Sequence, residues 1–133
     1  MSSDDFQAFG RDALPGFLGV LVHEVKSGQA HLSLEVKPHH FAPNGFLHAG
    51  AVVTLADTAC GYGCVASLPE GATGFTTIEL KSNHLGTASS GRIETRATAL
   101  HLGRTTQVWD AVVTHGAKTI AIFRCTQLVL WPK

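Results

Sequence analysis

The chain has 133 residues, of which 44% are hydrophobic and 15% charged, and its ten basic residues balance its ten acidic ones. This length fits a single domain over residues 1–133 with one sizeable core. The neutral balance and the lack of any Lys/Arg cluster exclude the charge pattern of a nucleic-acid-binding protein, so we expect no nucleic-acid partner.

The N-terminal segment MSSDDFQAFG has acidic residues where a secretory signal has basic ones, and no long apolar segment follows it. Three cysteines, an odd number, are typical of reduced thiols, and Cys60 and Cys64 are interpreted as small packing residues. Residues 49–68 form the one apolar segment of transmembrane length, but Asp57 at its centre argues against insertion. We therefore expect a cytoplasmic protein with no membrane partner.

Three short elements are predicted in the first 37 residues. A helix over 4–13 is expected to end at Pro15-Gly16. Strands follow over 17–25 and 29–37, joined by a turn around Gly28. The second strand alternates apolar with polar residues, which is typical of a half-buried strand.

One long helix and four strands are predicted in the rest of the chain. The helix covers 49–66 and ends before Pro69 and Gly71. The four strand-like segments lie at about 74–85, 92–102, 105–115 and 118–130. The order ββαββββ predicts an α+β fold, with a mainly antiparallel sheet of about six strands packed on one central helix.

The composition of the long helix indicates close packing. It is rich in Ala and Gly and carries neither Lys nor Glu, so it has no polar side, and we expect burial on all sides. Gly61 and Gly63 each cost about 1 kcal/mol of helix propensity, which tight packing is expected to offset.

One carboxylate interrupts this apolar helix. Between His48 and Glu70 the only formal charge is Asp57. A buried carboxylate is costly unless a partner or a reaction requires it. The helix starts at His48-Ala49-Gly50, where unpaired backbone N–H groups can face an anion or a polarised carbonyl. An acid and an electrophile-binding helix terminus, about two turns apart, suggest hydrolytic chemistry.

The segment Asn44-Gly45-Phe46-Leu47-His48-Ala49-Gly50, followed by Asp57, resembles the signature of hotdog-fold acyl-CoA thioesterases, most closely the PaaI type of phenylacetic acid degradation. The family pattern is a Gly, two residues, His-Gly-Gly, and an Asp or Glu nine residues after the His. Two positions differ. Ala49 stands for the first Gly of His-Gly-Gly, and Ala42 occupies a position where the family commonly has Asn or Gln.

The resemblance implies roles for five residues. Asp57 would be the catalytic carboxylate, acting as general base or as nucleophile. The amides of Ala49 and Gly50 would polarise the thioester carbonyl. Thr77 would hold a water near the carboxylate, although an ordinary strand Thr is an equally good interpretation. His48 would orient the loop or the substrate rather than transfer a proton. The competing interpretation of Asp57 is a buried Asp bonded to a Thr or to backbone.

The resemblance also implies a substrate-binding set. Asn44, Gly45, Phe46 and His48 would contact the acyl thioester, and Asn44 would replace the amide that is missing at Ala42. Arg104 and Lys81, with Arg124 as a further candidate, would contact the phosphates of coenzyme A, although a solvated charge on a strand is an equally good interpretation of each. Phe41, Phe46 and Leu85 would line the acyl pocket.

The leading hypothesis is therefore an acyl-CoA or aryl-CoA thioesterase that uses water and no cofactor, because coenzyme A is part of the substrate. No metal is expected, because no metal-ligand spacing is found among the histidines His39-His40, His84, His101 and His115. The resemblance implies a hotdog-fold homodimer, commonly paired into a tetramer, with each active site built from two chains. The alternatives are a non-catalytic acyl-CoA or fatty-acid binding module and, less favoured, an enoyl-thioester hydratase or dehydratase.

Overall fold

The computed structural model describes all residues, 1–133, and contains three α-helices and six strands. The helices are α1 (Ser3–Phe9), α2 (Leu14–Leu18) and α3 (Ala49–Ala66). The strands are β1 (Leu21–Lys26), β2 (Gln29–Glu35), β3 (Gly74–His84), β4 (Arg92–Leu102), β5 (Thr106–His115) and β6 (Lys118–Leu130). One antiparallel sheet holds all six strands in the order β1-β2-β4-β5-β6-β3. The predicted α+β fold, with a six-stranded sheet on one central helix, is confirmed.

The N-terminal prediction was wrong in two respects. The first helix, α1, ends at Phe9 and not at residue 13. Phe17 and Leu18 belong to the helix α2, not to the first strand, which begins at Leu21. Pro15 lies in the first turn of α2, where a proline is tolerated because its missing N–H has no intrahelical partner. Gly19 ends the helix with φ of 88°, the left-handed conformation that glycine adopts most easily. The Pro-Gly pair thus begins a helix instead of ending one.

The central helix α3 packs so closely on the sheet that its small residues are required. Leu55, Ala59 and Cys60 are fully buried. A Cβ added at Gly63 would lie 2.5 Å from the indole ring of Trp109, a buried residue of β5. The predicted close packing is therefore present, and at Gly63 the sheet leaves no room for a larger residue.

One stripe of α3 is not covered, so the expectation of burial on all sides was wrong for the single chain. Val53, Thr54, Asp57 and Thr58 are only half-buried, and the spacing of three and four residues places them on one side of the helix. The helix α3 is long and apolar enough to span a membrane, with a mean hydropathy of 1.3, but 61% of its residues are buried inside the fold. It serves here as the core helix of a sheet.

The strand β3 forms one edge of the sheet and pairs only with β6. It is eleven residues long and exposes apolar side chains, with Ile78 at 56% and Leu80 at 44% exposure. A long apolar edge strand is a template for pairing with another chain.

Candidate active site

The first turn of α3 is held by His48. Its imidazole Nδ1 accepts a hydrogen bond from the Gly50 amide at 2.8 Å, which makes His48 the N-cap of the helix. The Gly50 amide is therefore already bonded. Ala49 is the first residue of the helix, so its amide has no intrahelical acceptor. Of the two amides predicted to face a carbonyl, Ala49 supplies the free one.

The loop before the helix is a compact turn. Gly45 has φ of +90°, a conformation that favours glycine, and its amide donates to the Ala42 carbonyl at 3.0 Å. The Ala42 amide donates to the Phe46 carbonyl at 2.8 Å. The Asn44 Oδ1 accepts from the Phe46 amide at 3.2 Å, and the Asn44 side chain is exposed. The loop residues predicted to bind substrate thus lie together.

A second histidine, which no sequence pattern predicted as a site residue, anchors this loop. His40 is buried; its Nδ1 accepts from the Lys37 amide at 3.0 Å, and its Nε2 donates to the Leu18 carbonyl at 2.8 Å. Its own carbonyl accepts from the His48 amide at 2.9 Å. Burial lowers the pKa of the His40 imidazole, which favours the neutral form that this arrangement requires. His40 ties the helix α2 to the start of α3.

An open cleft of about 390 Å³ lies against the start of α3. Its apolar wall includes Phe46 and Leu85, two of the three side chains predicted to line an acyl pocket, whereas Phe41 is not part of the wall. His84 and Lys118 add polar groups to the same cleft, and neither was predicted as a site residue. Ala49, the helix residue with the free amide, also borders the cleft.

Asp57 lies in the uncovered stripe of α3. Its Oδ1 is shielded from solvent and has no hydrogen-bond partner, and none of the ion pairs of the chain involves it. Burial raises the pKa of the Asp57 carboxyl above its ordinary value. The alternative interpretation, a structural Asp bonded to a neighbouring Thr or to backbone, has no hydrogen bond to support it at this oxygen.

Asp57 and the free Ala49 amide do not meet within one chain. They are eight residues apart on a straight helix, a separation of about 12 Å along its axis. A thioester carbonyl bonded to one of them is therefore out of reach of the other in the same chain, and Asp57 does not line the cleft at the helix start.

Thr77 lies on β3, half-buried, and its hydroxyl donates to the Gln127 Oε1 at 2.6 Å. The Gln127 Nε2 is buried without a partner. The Thr77 oxygen keeps its capacity to accept a hydrogen bond from a water or ligand. Thr76 is exposed on the other face of the strand.

The residues predicted to contact coenzyme A are not clustered. Lys81 lies opposite Arg124 in the β3–β6 ladder, on the outer face of the sheet. Arg124 forms a bidentate ion pair with Asp110. Arg104 lies at the β4–β5 turn, with its guanidinium 4.1 Å from the ring centre of Trp131. The Val129 amide donates to the Thr105 carbonyl in the turn that carries Arg104. Val129 lies five residues beyond Arg124 on β6, about 17 Å along the strand.

Sequence patterns did not single out His40, His84 or Lys118. The pair His39-His40 was considered only as a metal site, yet a histidine just after Pro38 and before a Gly-containing loop is a possible loop anchor. His84 and Lys118 are 34 residues apart and become neighbours only because β3 and β6 pair.

Comparison with known proteins identifies the family. The sequence model of the Thioesterase superfamily matches residues 44–121, which include the loop, α3 and Asp57. The chain is 34% identical over 110 residues to the 1,4-dihydroxy-2-naphthoyl-CoA hydrolase of Listeria monocytogenes, covering 82% of this chain and 89% of that one. It is 30% identical over 106 residues to the proofreading thioesterase EntH of Klebsiella pneumoniae, covering 80% and 77%.

A solved thioesterase structure has the same fold as this chain. The crystal structure of a mutant of thioesterase PA1618 from Pseudomonas aeruginosa superposes with a TM-score of 0.91 at 29% sequence identity, covering 98% of this chain and 94% of that one. The PaaI subtype stays a prediction. The chain belongs to the Thioesterase superfamily and is a thioester hydrolase of the hotdog fold.

Proposed function

We propose that the chain hydrolyses an acyl- or aryl-CoA thioester with water, using Asp57 as general base or nucleophile and the Ala49 amide to polarise the carbonyl. The observation that carries the proposal is the shielded Asp57 carboxylate, which has no partner on its Oδ1 and no cation beside it. A carboxylate kept in such a place is available for chemistry.

The proposed active site uses two chains. Because about 12 Å separates Ala49 from Asp57 on one helix, a second helix running antiparallel beside it would bring the Ala49 of one chain to the Asp57 of the other. A twofold axis at the β3 edge would produce this arrangement. Two features support it: the unpaired apolar edge of β3 and the uncovered stripe around Asp57.

The homodimer is further proposed to pair into a tetramer. The outer face of the sheet exposes apolar side chains, with Val112 at 40% and Ile122 at 44%, beside the Arg124–Asp110 ion pair. These side chains belong to a groove of about 360 Å³ on the face opposite α3. An apolar patch of this kind favours a contact between dimers.

We propose an aryl-CoA ester as substrate. The relative from Listeria monocytogenes acts, by its name, on 1,4-dihydroxy-2-naphthoyl-CoA. The cleft at the helix start suits such a group, because Phe46 and Leu85 offer apolar contact to a ring while His84 and Lys118 offer hydrogen bonds to ring hydroxyls. Asn44, with its exposed side chain, is proposed to contact the thioester in place of the amide missing at Ala42. The reaction needs no cofactor, and we propose that it takes place in the cytoplasm.

The test is a thiol-release assay over short-chain, long-chain and aromatic CoA esters, with the product identified by mass. We expect free coenzyme A and a free acid, with aromatic esters preferred. Asp57→Asn should lower kcat by about 10²–10⁴-fold, the range for loss of a positioned base. Tight binding with no turnover would favour the binding module, and a hydrated CoA ester would favour the hydratase. Either result, or an Asp57→Asn variant as fast as the parent, would overturn the proposal.

A further inference from the structure

Two histidines and one glutamate meet on the outer face of the sheet, on the side opposite α3. His23 lies on β1, His31 on β2 and Glu94 on β4. One ligand atom from each residue, an imidazole nitrogen or a carboxylate oxygen, lies within 4.8 Å of the other two. The His31 Nε2 is 3.0 Å from the Glu94 Oε1, and the two imidazole ring centres are 4.7 Å apart.

The sheet register creates this cluster. On β2, His31 and Ser33 alternate with the buried Leu32, so both point outward. On β1 the ladder passes from Val22 directly to the next pair, and His23 is the extra residue of this β-bulge. A bulge commonly redirects a side chain. Here the His23 Nε2 lies 2.6 Å from the Ser33 Oγ, above the outer face.

We propose that His23, His31 and Glu94 bind one Zn²⁺ ion per chain, with a fourth position open to water. Two imidazoles and one carboxylate are an established ligand set for zinc. Ligands of a tetrahedral zinc ion with bonds of about 2.1 Å lie about 3.4 Å apart. The His31–Glu94 separation is already close to this value, and His23 is exposed, so its side chain has room to turn toward the ion.

The surrounding charges select the kind of metal. Arg92 and Arg96, which are exposed neighbours on β4, place positive charge near the cluster. The other nearby carboxylate is Glu24, the cross-strand neighbour of His31, and it is paired with Lys26 at 3.3 Å. Charge attraction is therefore weak, and a hard cation such as Ca²⁺ or Mg²⁺ would lack the oxygen ligands it needs. Affinity must come from imidazole nitrogen, which favours zinc and similar transition metals.

This site would be separate from the hydrolytic site and would stabilise one edge of the sheet. It joins the edge strand β1 to β2 and β4, whereas the cleft and Asp57 lie on the helix side of the sheet. The ligands are eight and sixty-three residues apart in the chain, so no motif revealed them.

The experiment is a calorimetric titration of the chelator-treated full chain with Zn²⁺ alone. We expect one site per chain, a rise in Tm on loading, and at least a tenfold loss of affinity in His31→Gln and in Glu94→Gln. His101→Gln, an exposed histidine on β4 outside the cluster, is the matched control and should bind as the parent does. Circular dichroism identifies any variant that fails to fold. If one of the two ligand variants is unfolded, the affinity of the other provides the test.

Cobalt provides the second measurement, because the chain also has three cysteines. Co²⁺ bound at this site should show d–d absorption without a thiolate-to-metal charge-transfer band. A thiolate band, equal binding by the ligand variants and the parent, or no site that withstands competition by a weak chelator would each overturn the proposal.

Discussion

The amide of Gly50 donates a hydrogen bond of 2.8 Å to the imidazole Nδ1 of His48. The bond places His48 as the N-cap of α3 and leaves the preceding amide, that of Ala49, as the free donor at the helix start. Because Nδ1 accepts, the imidazole is neutral there and carries its hydrogen on Nε2. We therefore expect His48 to position the Ala49 amide and not to act as the base.

Replacing His48 separates these two roles. His48→Ala removes the cap and should lower the free energy of unfolding by about 1 kcal/mol. His48→Asn keeps a capping side chain and should restore that stability together with most of kcat. Urea unfolding and steady-state kinetics measure both quantities. If His48 were the base, the Asn variant would be as inactive as the Ala variant while remaining stable.

The raised pKa of Asp57 predicts how stability depends on pH. The folded chain holds this carboxyl with a pKa above the ordinary value of 3.8, so protonation favours folding. The contribution of Asp57 to stability is complete below the unfolded pKa and is lost as the pH rises through the folded pKa. Asp57→Asn should therefore unfold at higher urea concentration than the parent at neutral pH, and this difference should close as the pH falls toward 3.8.

The Asp57 carboxyl is also expected to determine how activity falls at acidic pH. Since the base must be ionised, kcat/KM should decline on acidification with a midpoint above 3.8. A midpoint at or below 3.8, or an Asp57→Asn variant less stable than the parent at neutral pH, would contradict the buried, unpartnered carboxylate.

Gly63→Ala should destabilise the chain although alanine favours helices. The added Cβ would approach the Trp109 ring to 2.5 Å, and overpacking of this kind costs about 1–3 kcal/mol. The gain in helix propensity of about 1 kcal/mol offsets part of the loss. A double-mutant cycle with Trp109→Phe, followed by urea unfolding, should show that the smaller ring removes most of the penalty. If the two substitutions changed the free energy of unfolding additively, the contact between residue 63 and the Trp109 ring would not be the cause of the penalty.

Lys81 and Arg104 test the proposed contact with the nucleotide end of coenzyme A. Lys81→Ala and Arg104→Gln should each raise KM about two- to fivefold with kcat unchanged, the size expected for solvent-exposed ion pairs. The effect should vanish with the pantetheine thioester of the same acid, which lacks the nucleotide phosphates. Lys26→Ala, an exposed lysine on β1, is the control. An equal rise in KM for both esters would exclude a phosphate contact.

The sequence predicted the fold well because its signals were local. The alternation on β2, the absence of charge around Asp57 and the Gly/Pro turns identify each element by itself. The exception was α2, where Pro15-Gly16 was interpreted as a stop although a proline also suits a helix start.

The site was only partly predictable because much of it depends on long-range pairing. Ala49 and Asp57 belong to a short motif and were visible in the sequence. His84 and Lys118 meet through strand pairing, and the bonded state of the Gly50 amide depends on the rotamer of His48. The uncovered stripe of α3 was not predicted. The composition of a helix gives its polarity, but it does not show which of its sides other elements cover.

The most direct test of the two-chain active site is complementation between inactive variants. Ala49→Pro removes the amide donor at a helix position that tolerates proline, and Asp57→Asn removes the carboxylate. Each variant alone should be nearly inactive. A co-refolded equimolar mixture should recover about one quarter of the parental activity, because half of the dimers are mixed and each holds one intact site of two. A mixture as inactive as its two components, with mixed dimers verified by mass, would contradict a site shared between chains.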